Sequence, residues 1–298
     1  MTTSWRTVVN AAPFCPGYPP PYDVLAASYP DATVYPPAAF RVEWGPIFHR
    51  GRLDGTAKLL VLGQDPAVAE TVTRRILVGV AGQRTQGLLA RLGLTRSYLM
   101  VNTFVYSVYG QAGGNAHIKD EAIAAYRNSW LTTIVSHNDI AAVITLGALA
   151  ASAYHRWLAA GATFAGHHAA ILHPTYPESA SAAGQITLAD ATKRLLANWN
   201  EALPGLIAAI AQPDEPASGT PYGTAFIEQD LPPIPPGDLP AGIPEWMRTA
   251  RNWGTRQGPD ADTKRATIAV TVPAADRPWL TQPTLQPSGR RGAQPGVA

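Results

Sequence analysis

The chain has 298 residues, 46% of them hydrophobic and 15% charged, enough to bury a core in one large domain or two small ones. A net charge of +2 with a pI near 8.7 is compatible with nucleic acid but not diagnostic of it. The single cysteine, Cys15, excludes an internal disulfide framework and any cluster needing four thiolates. No apolar run is long enough for a membrane-spanning helix. Trp5 and Arg6 are not followed by an apolar signal region, so a cytoplasmic protein is expected.

Residues 1–56 are punctuated by prolines and allow helix only in short pieces such as Asp23–Ser28. Their aromatics, among them Trp5, Phe14, Tyr18, Tyr22, Tyr35 and Phe40, point to a packed wrapping segment rather than a disordered tail. The apolar run at 57–62 predicts a buried parallel strand that ends in Gly63-Gln64-Asp65-Pro66-Ala67. A short helix or lid follows over Ala67–Ile76, then a helix over Gly82–Leu92 with Gly93 as its C-cap. Ser97–Val105 is a second strand with Asn102 near its end. Tyr109–His117, with Gly110, Gly113 and Gly114, predicts a loop. An amphipathic helix spans Asp120–Ser136, a third strand Ala141–Leu146, and a helix Ala148–Ala159. The fourth strand, Ala169–Leu172, runs into His173-Pro174-Thr175-Tyr176-Pro177. Gln185–Ala211 is helical, with Pro204 expected to kink or interrupt it.

This alternation over 57–211 predicts a three-layer α/β/α sandwich around a mainly parallel, four-stranded sheet. From Gln212 the chain becomes proline-rich, with Pro232-Pro233-Ile234-Pro235-Pro236 as a polyproline-type stretch. Residues 212–280 are expected to form an extended wrapping arm, with strand propensity at Thr267–Val272, and 281–298 a disordered tail.

Three predicted strands end in different chemistry: Asp65 a carboxylate, Asn102 an amide, His173 an imidazole. In a parallel sheet these ends share one edge, where ligands collect. An amide can read an imide-like base edge. A carboxylate can orient water, and an imidazole can stabilise charge on a departing oxygen. Each also has a plainer reading. Asp65 can be a helix N-cap, Asn102 a turn residue and His173 a buried structural histidine.

The order of these motifs resembles the uracil-DNA glycosylase superfamily. Gly63-Gln64-Asp65-Pro66 is similar to the water-activating motif of the classical, metal-free branch, Leu99–Thr103 to its base-reading strand, and His173-Pro174-Thr175 to its histidine motif. Leu77–Gln83 and Gly93–Arg96 are similar to the iron–sulfur branch, although the four cluster cysteines are missing. The resemblance implies hydrolysis of the N-glycosidic bond of uracil in single- or double-stranded DNA after base flipping, by a monomer with no cofactor or metal. It implies Asp65 and His173 as catalytic residues, with Gln64, Asn102, Ala67 and Leu77 around the base. The segment Pro174–Ser179, with Pro174, Thr175 and Tyr176, would enter the minor groove with Tyr176 as wedge, and Arg74, Arg75 and Arg84 would reach phosphates, though such arginines are commonly just solvated.

Two departures bear on substrate. The classical branch has Tyr where this chain has Ala67, which leaves space at C5 of the base and opens a second reading, a mismatch or 5-substituted-pyrimidine glycosylase. The iron–sulfur branch has a stacking Phe where this chain has Leu77, so Phe48, Phe104 or Tyr106 is a candidate to stack instead. A non-catalytic DNA-binding module on the same fold is the third reading. Glu178 has no evident role in a phosphate-facing loop. His167 and His168 lack further ligands at metal spacing. Gly79–Gly82 lacks the spacing of a dinucleotide fingerprint.

Overall fold

A computed structural model describes residues 17–277; Trp5, Phe14, Cys15, Trp279 and the expected tail lie outside them. Four parallel strands form the centre: β2 (Leu59–Gly63), β3 (Tyr98–Asn102), β4 (Ala142–Leu146) and β5 (His167–Ile171). A fifth, β1 (His49–Gly51), pairs antiparallel with β3 and completes the order β1-β3-β2-β4-β5. The expectation of four strands is corrected here. β1 is only three residues long, carries His49 and Arg50, and follows a proline-rich segment, so no apolar run announces it.

Alternation along the strands sorts the core into two faces. Leu60, Leu62, Leu99, Val101 and Val143 share one apolar cluster with α5 (Glu121–His137) and α6 (Ala148–Ala159). The aromatics Tyr22, Tyr35, Phe40 and Phe48 join this cluster. Leu59, Val61, Met100, Ile144 and Leu146 face the other way. They pack with α3 (Val80–Arg91) and α8 (Leu188–Ala209) through Leu88, Leu89, Leu195 and Trp199. The result is the expected three-layer α/β sandwich.

Two local expectations fail. The glycine-rich stretch 109–117 forms a helix, α4 (Gly110–His117), rather than a loop. Glycine costs a helix about 1 kcal/mol relative to alanine. Gly114 suits a close approach, because a Cβ there would stand 3.3 Å from both Phe104 and Leu149. Pro204 does not interrupt α8, which runs unbroken through it. Buried Leu195 and Trp199 before it, and Leu203 and Leu206 after it, hold both halves in one core, so packing outweighs the local cost.

The chain after 211 lies against α3 and the ends of the strands. Asp214 accepts from the backbone N–H groups of Thr95, Arg96 and Ser97 at 2.8–2.9 Å, and from the Ser97 hydroxyl. Arg91 pairs with Asp230. A Cβ on Gly87 would come within 2.1 Å of the Asp230 carbonyl, so only glycine lets the arm run this close to the helix. Ile234, from the polyproline stretch, is buried with Val78 and Leu239. Arg50 donates to Asp238 (2.9 Å) and Gln86 (3.1 Å), and Tyr98 donates to the same Asp238 oxygen (2.8 Å). Burial raises the Asp238 pKa, with the Arg50 charge opposing the rise. The arm ends in a hairpin of β6 (Gly254–Arg256) and β7 (Ile268–Val270), the latter within the stretch of expected strand propensity.

Candidate active site

Chain order makes the site. β3 lies on one side of β2 and β4 on the other, so the connection between them reverses direction. Such a switch point opens a crevice at the carboxyl ends of the strands. A cleft of about 680 Å³ lies there. Gln64, Asp65 and Ala67 line it after β2, Val108 after β3, Gly147, Ala148 and Leu149 after β4, and Leu172, His173, Thr175 and Tyr176 after β5.

Asp65 is held by the backbone N–H of Val108, which donates to one carboxylate oxygen at 2.9 Å. The loops around it are tied together: Phe104 N–H donates to the Gln64 carbonyl (2.9 Å), and the Ser107 hydroxyl donates to the Pro66 carbonyl. Burial raises the Asp65 pKa to about 6, against the opposing Val108 N–H, the Gln64 side chain and the Arg41 charge. The group is therefore ionised at neutral pH, but only just.

His173 forms the opposite wall. Its Nδ1 accepts from the Thr175 backbone N–H at 3.2 Å and lies 2.9 Å from the Thr175 hydroxyl. An accepting Nδ1 leaves the proton of a neutral ring on Nε2. Burial lowers the pKa to about 4, with the Arg84 charge adding to the fall and Glu178 opposing it. The ring is a neutral donor across the physiological range. Gly147 sits beneath it in the left-handed region (φ +86°), where a Cβ would stand 3.3 Å from His173 Cβ.

Asn102 ends β3 in register with Gly63. It is buried, 7% exposed, and does not line the cleft. A Cβ on Gly63 would lie 2.3 Å from its Oδ1, so the glycine leaves room for the amide. Leu77 is also absent from the cleft. It is buried in the core under α3 with a strained φ of +51°.

The expected stacking rings lie elsewhere as well. Phe48 stacks on Trp130 with centroids 5.6 Å apart, Tyr106 donates to the Pro30 carbonyl, and Phe104 is fully buried beside Phe40. The segment Pro174–Ser179 is not a free loop, because α7 (Tyr176–Ala182) begins inside it with Pro177 in its first turn. Tyr176 and Thr175 line the cleft, whereas Pro174 is buried.

The arginines expected at phosphates are engaged within the protein. Arg74 donates to the carbonyls of Trp44 (2.7 Å) and Pro46 (2.6 Å), and Arg75 to that of Arg74 (2.9 Å). Arg84 makes a two-pronged pair with Glu178 (2.7 and 2.9 Å) and donates to the Pro174 carbonyl (2.6 Å). That pair accounts for Glu178, which ties α7 to α3.

One site residue had no signal in the sequence. Glu70, on α2 (Val68–Thr73), is buried and accepts from the backbone N–H groups of Ala67 (3.1 Å) and Val78 (2.8 Å). Its pKa is raised to about 7 by burial, with the charge of Asp65 adding to the rise. It fixes the ends of the segment that follows Asp65. Among the described residues no cluster of three or more His, Cys, Asp or Glu side chains is arranged to hold a metal, and no helix is long and apolar enough to cross a membrane.

No curated protein matches the chain. The family model of the uracil DNA glycosylase superfamily matches residues 50–203, just over half of the 298 residues and the stretch that carries all five sheet strands except the first residue of β1. The chain belongs to the uracil DNA glycosylase superfamily, and glycosylase chemistry on DNA is its activity.

Proposed function

We propose that the chain is a monofunctional uracil-DNA glycosylase with Asp65 and His173 as its catalytic residues. The observation that carries this reading is that Asp65, an ionisable carboxylate, and His173, a neutral ring whose Nδ1 accepts and whose proton is therefore on Nε2, line one cleft. A flipped deoxyuridine between them has its sugar toward Asp65 and its O2 toward His173. The bond between C1′ and N1 breaks, and positive charge on the sugar is offset by the Asp65 carboxylate. The departing base gathers negative charge, to which the His173 Nε2–H donates. Water oriented by Asp65 adds to C1′ and gives its proton to that carboxylate, leaving an abasic sugar and the uracil anion, which takes up a proton from solvent as Asp65 releases its own.

In this reading Gln64 frames the base with its backbone, Ala67 borders C5, and Thr175 holds the His173 tautomer. Asn102, buried beside Gly63 behind the cleft lining, has the least direct of the three strand-end roles. Tyr176 remains the candidate wedge at the cleft rim. Leu77 acts through the core rather than by touching the base.

The test is a uracil-containing oligonucleotide treated with the protein and then with alkali. Strand scission that is lost in Asp65→Asn supports the reading, and intact strands with the wild type overturn it. A second reading is favoured by Ala67, which is exposed on the wall of a cleft far larger than a pyrimidine. If 5-hydroxymethyluracil or mismatched thymine is excised faster than uracil in direct competition, the 5-substituted-pyrimidine assignment replaces the first.

A further inference from the structure

His173 sits in a turn whose backbone is held by side chains from two helices. Beyond Ile171, where β5 ends, Leu172 N–H donates to Asn198 Oδ1 (2.8 Å). The Leu172 carbonyl accepts from Trp199 Nε1–H (3.0 Å), also on α8. On the other side of His173, the Pro174 carbonyl accepts from Arg84 Nη1 on α3 (2.6 Å).

The Arg84 bond reaches the imidazole through one rigid unit. The Pro174 carbonyl and the Thr175 N–H belong to the same planar trans peptide and point in opposite directions. Holding the carbonyl on α3 therefore aims the N–H the other way, at His173 Nδ1 (3.2 Å). The Thr175 hydroxyl, 2.9 Å from Nδ1, does not select a tautomer, because a hydroxyl either donates or accepts. The backbone N–H only donates, so it is the group that forces the ring proton onto Nε2.

Arg84 is itself fixed on two further sides. Its fork pairs with both Glu178 oxygens (2.7 and 2.9 Å), and its guanidinium lies 4.6 Å from the centroid of the Phe226 ring. Phe226 also meets the Trp199 ring edge-on at 6.1 Å. The supports on both sides of His173 thus converge on one residue of the C-terminal arm, outside the family-matched stretch.

We propose that Arg84 is a positioning residue for His173: it orients the Pro174–Thr175 peptide and through it fixes the imidazole as an Nε2–H donor. Arg84 does not line the cleft and acts only through this turn. The role in catalysis rests on His173 being the donor of the reaction above.

The experiment uses the full chain and two readouts. The first is the nitrogen NMR spectrum of histidine-labelled protein at neutral pH, in which the His173 signals are those missing from His173→Ala. Wild-type His173 should show a protonated Nε2 and an unprotonated Nδ1. Arg84→Met keeps the aliphatic stem but no donor, and should turn this pattern into a mixture of tautomers. The second readout is excision in single-turnover assays. Arg84→Met should lower the rate about tenfold, within the loss of about 10²-fold set by His173→Ala. Added to His173→Ala, it should cost less than about twofold more, because its effect runs through that ring. A merely structural role would lower the rate equally in both backgrounds. Should Arg84→Met fail to fold, Arg84→Gln carries both readouts, since its amide ends two bonds short of the Nη1 position. An unchanged His173 tautomer, or a fully additive loss in the double variant, overturns the proposal. A His173→Ala variant that excises like the wild type removes the donor role of His173 instead, while the tautomer still reports what Arg84 does to the ring, so the two failures are distinct.

Discussion

The two walls of the cleft solve opposite electrostatic problems. On the Asp65 wall, burial pushes a carboxylate toward neutrality, and one N–H, one amide side chain and a nearby arginine keep it ionisable, with a pKa of about 6. On the His173 wall, burial pushes an imidazole toward neutrality and nothing opposes it enough, so the pKa falls to about 4. The proposed mechanism uses both outcomes, a charge kept on one wall and none acquired on the other. Burial moves the two pKa values in opposite directions, from 3.8 to about 6 and from 6.5 to about 4, and because both stay below 7 the carboxylate is ionised and the imidazole neutral at neutral pH.

Substitutions test that asymmetry, beginning with the largest effect. Asp65→Asn removes the charge and keeps the shape, and should lower the excision rate about 10³-fold in single-turnover assays. A loss of less than tenfold would show that the charge is dispensable. His173→Ala removes one donor and should cost about 10²-fold, the scale of a single hydrogen bond to developing charge. A loss larger than that of Asp65→Asn would reverse the ranking of the walls.

The pH profile follows. In the free enzyme kcat/KM should fall about tenfold per unit below pH 6, as Asp65 takes up a proton, and stay flat from about pH 7 to 9. A second inflection near pH 7 belonging to His173 would contradict its neutral state. Stability should move against activity. The folded pKa of Asp65 is raised above its ordinary value of 3.8, so folding is weakened as pH rises from about 4 through about 6 and stays weaker above it. Asp65→Asn should therefore raise the melting temperature at pH 8, with the gain gone below about pH 4. A melting temperature lowered at pH 8 would sink this account. The smallest structural change, Glu70→Ala, strands two backbone donors and should cost about 1–3 kcal/mol in a denaturant titration.

Much of the frame was legible because parallel strands buried on both faces read as apolar runs. Leu59–Gly63 and Ala142–Leu146 are such runs, and the polar residue after each parallel strand marks the functional edge. That logic brought Asp65 and His173 to one cleft. Chain position gives the edge but not the depth: Asn102 closes β3 yet is buried behind the residues that line the cleft. Partners chosen by the folded state were not legible. Nothing local links Glu178 to Arg84, 94 residues earlier, or Glu70 to the backbone of Val78. The helix at 110–117 was hidden in part because Gly114 serves close packing against Phe104 and Leu149, a tertiary reason that outweighs local propensity.

The buried pair of Arg50 and Asp238 has a consequence in time. The two residues are 188 positions apart. At about 5–20 residues per second, a ribosome that has just added Arg50 needs about 10–40 s to reach its partner. Until then β1 carries a guanidinium that can be buried only at a penalty of several kcal/mol. The edge of the sheet next to β3 is thus left open through most of synthesis and is sealed when the arm arrives. A nascent chain halted before Asp238 would expose that edge, making it the natural point of attack for proteases or of pairing with another chain.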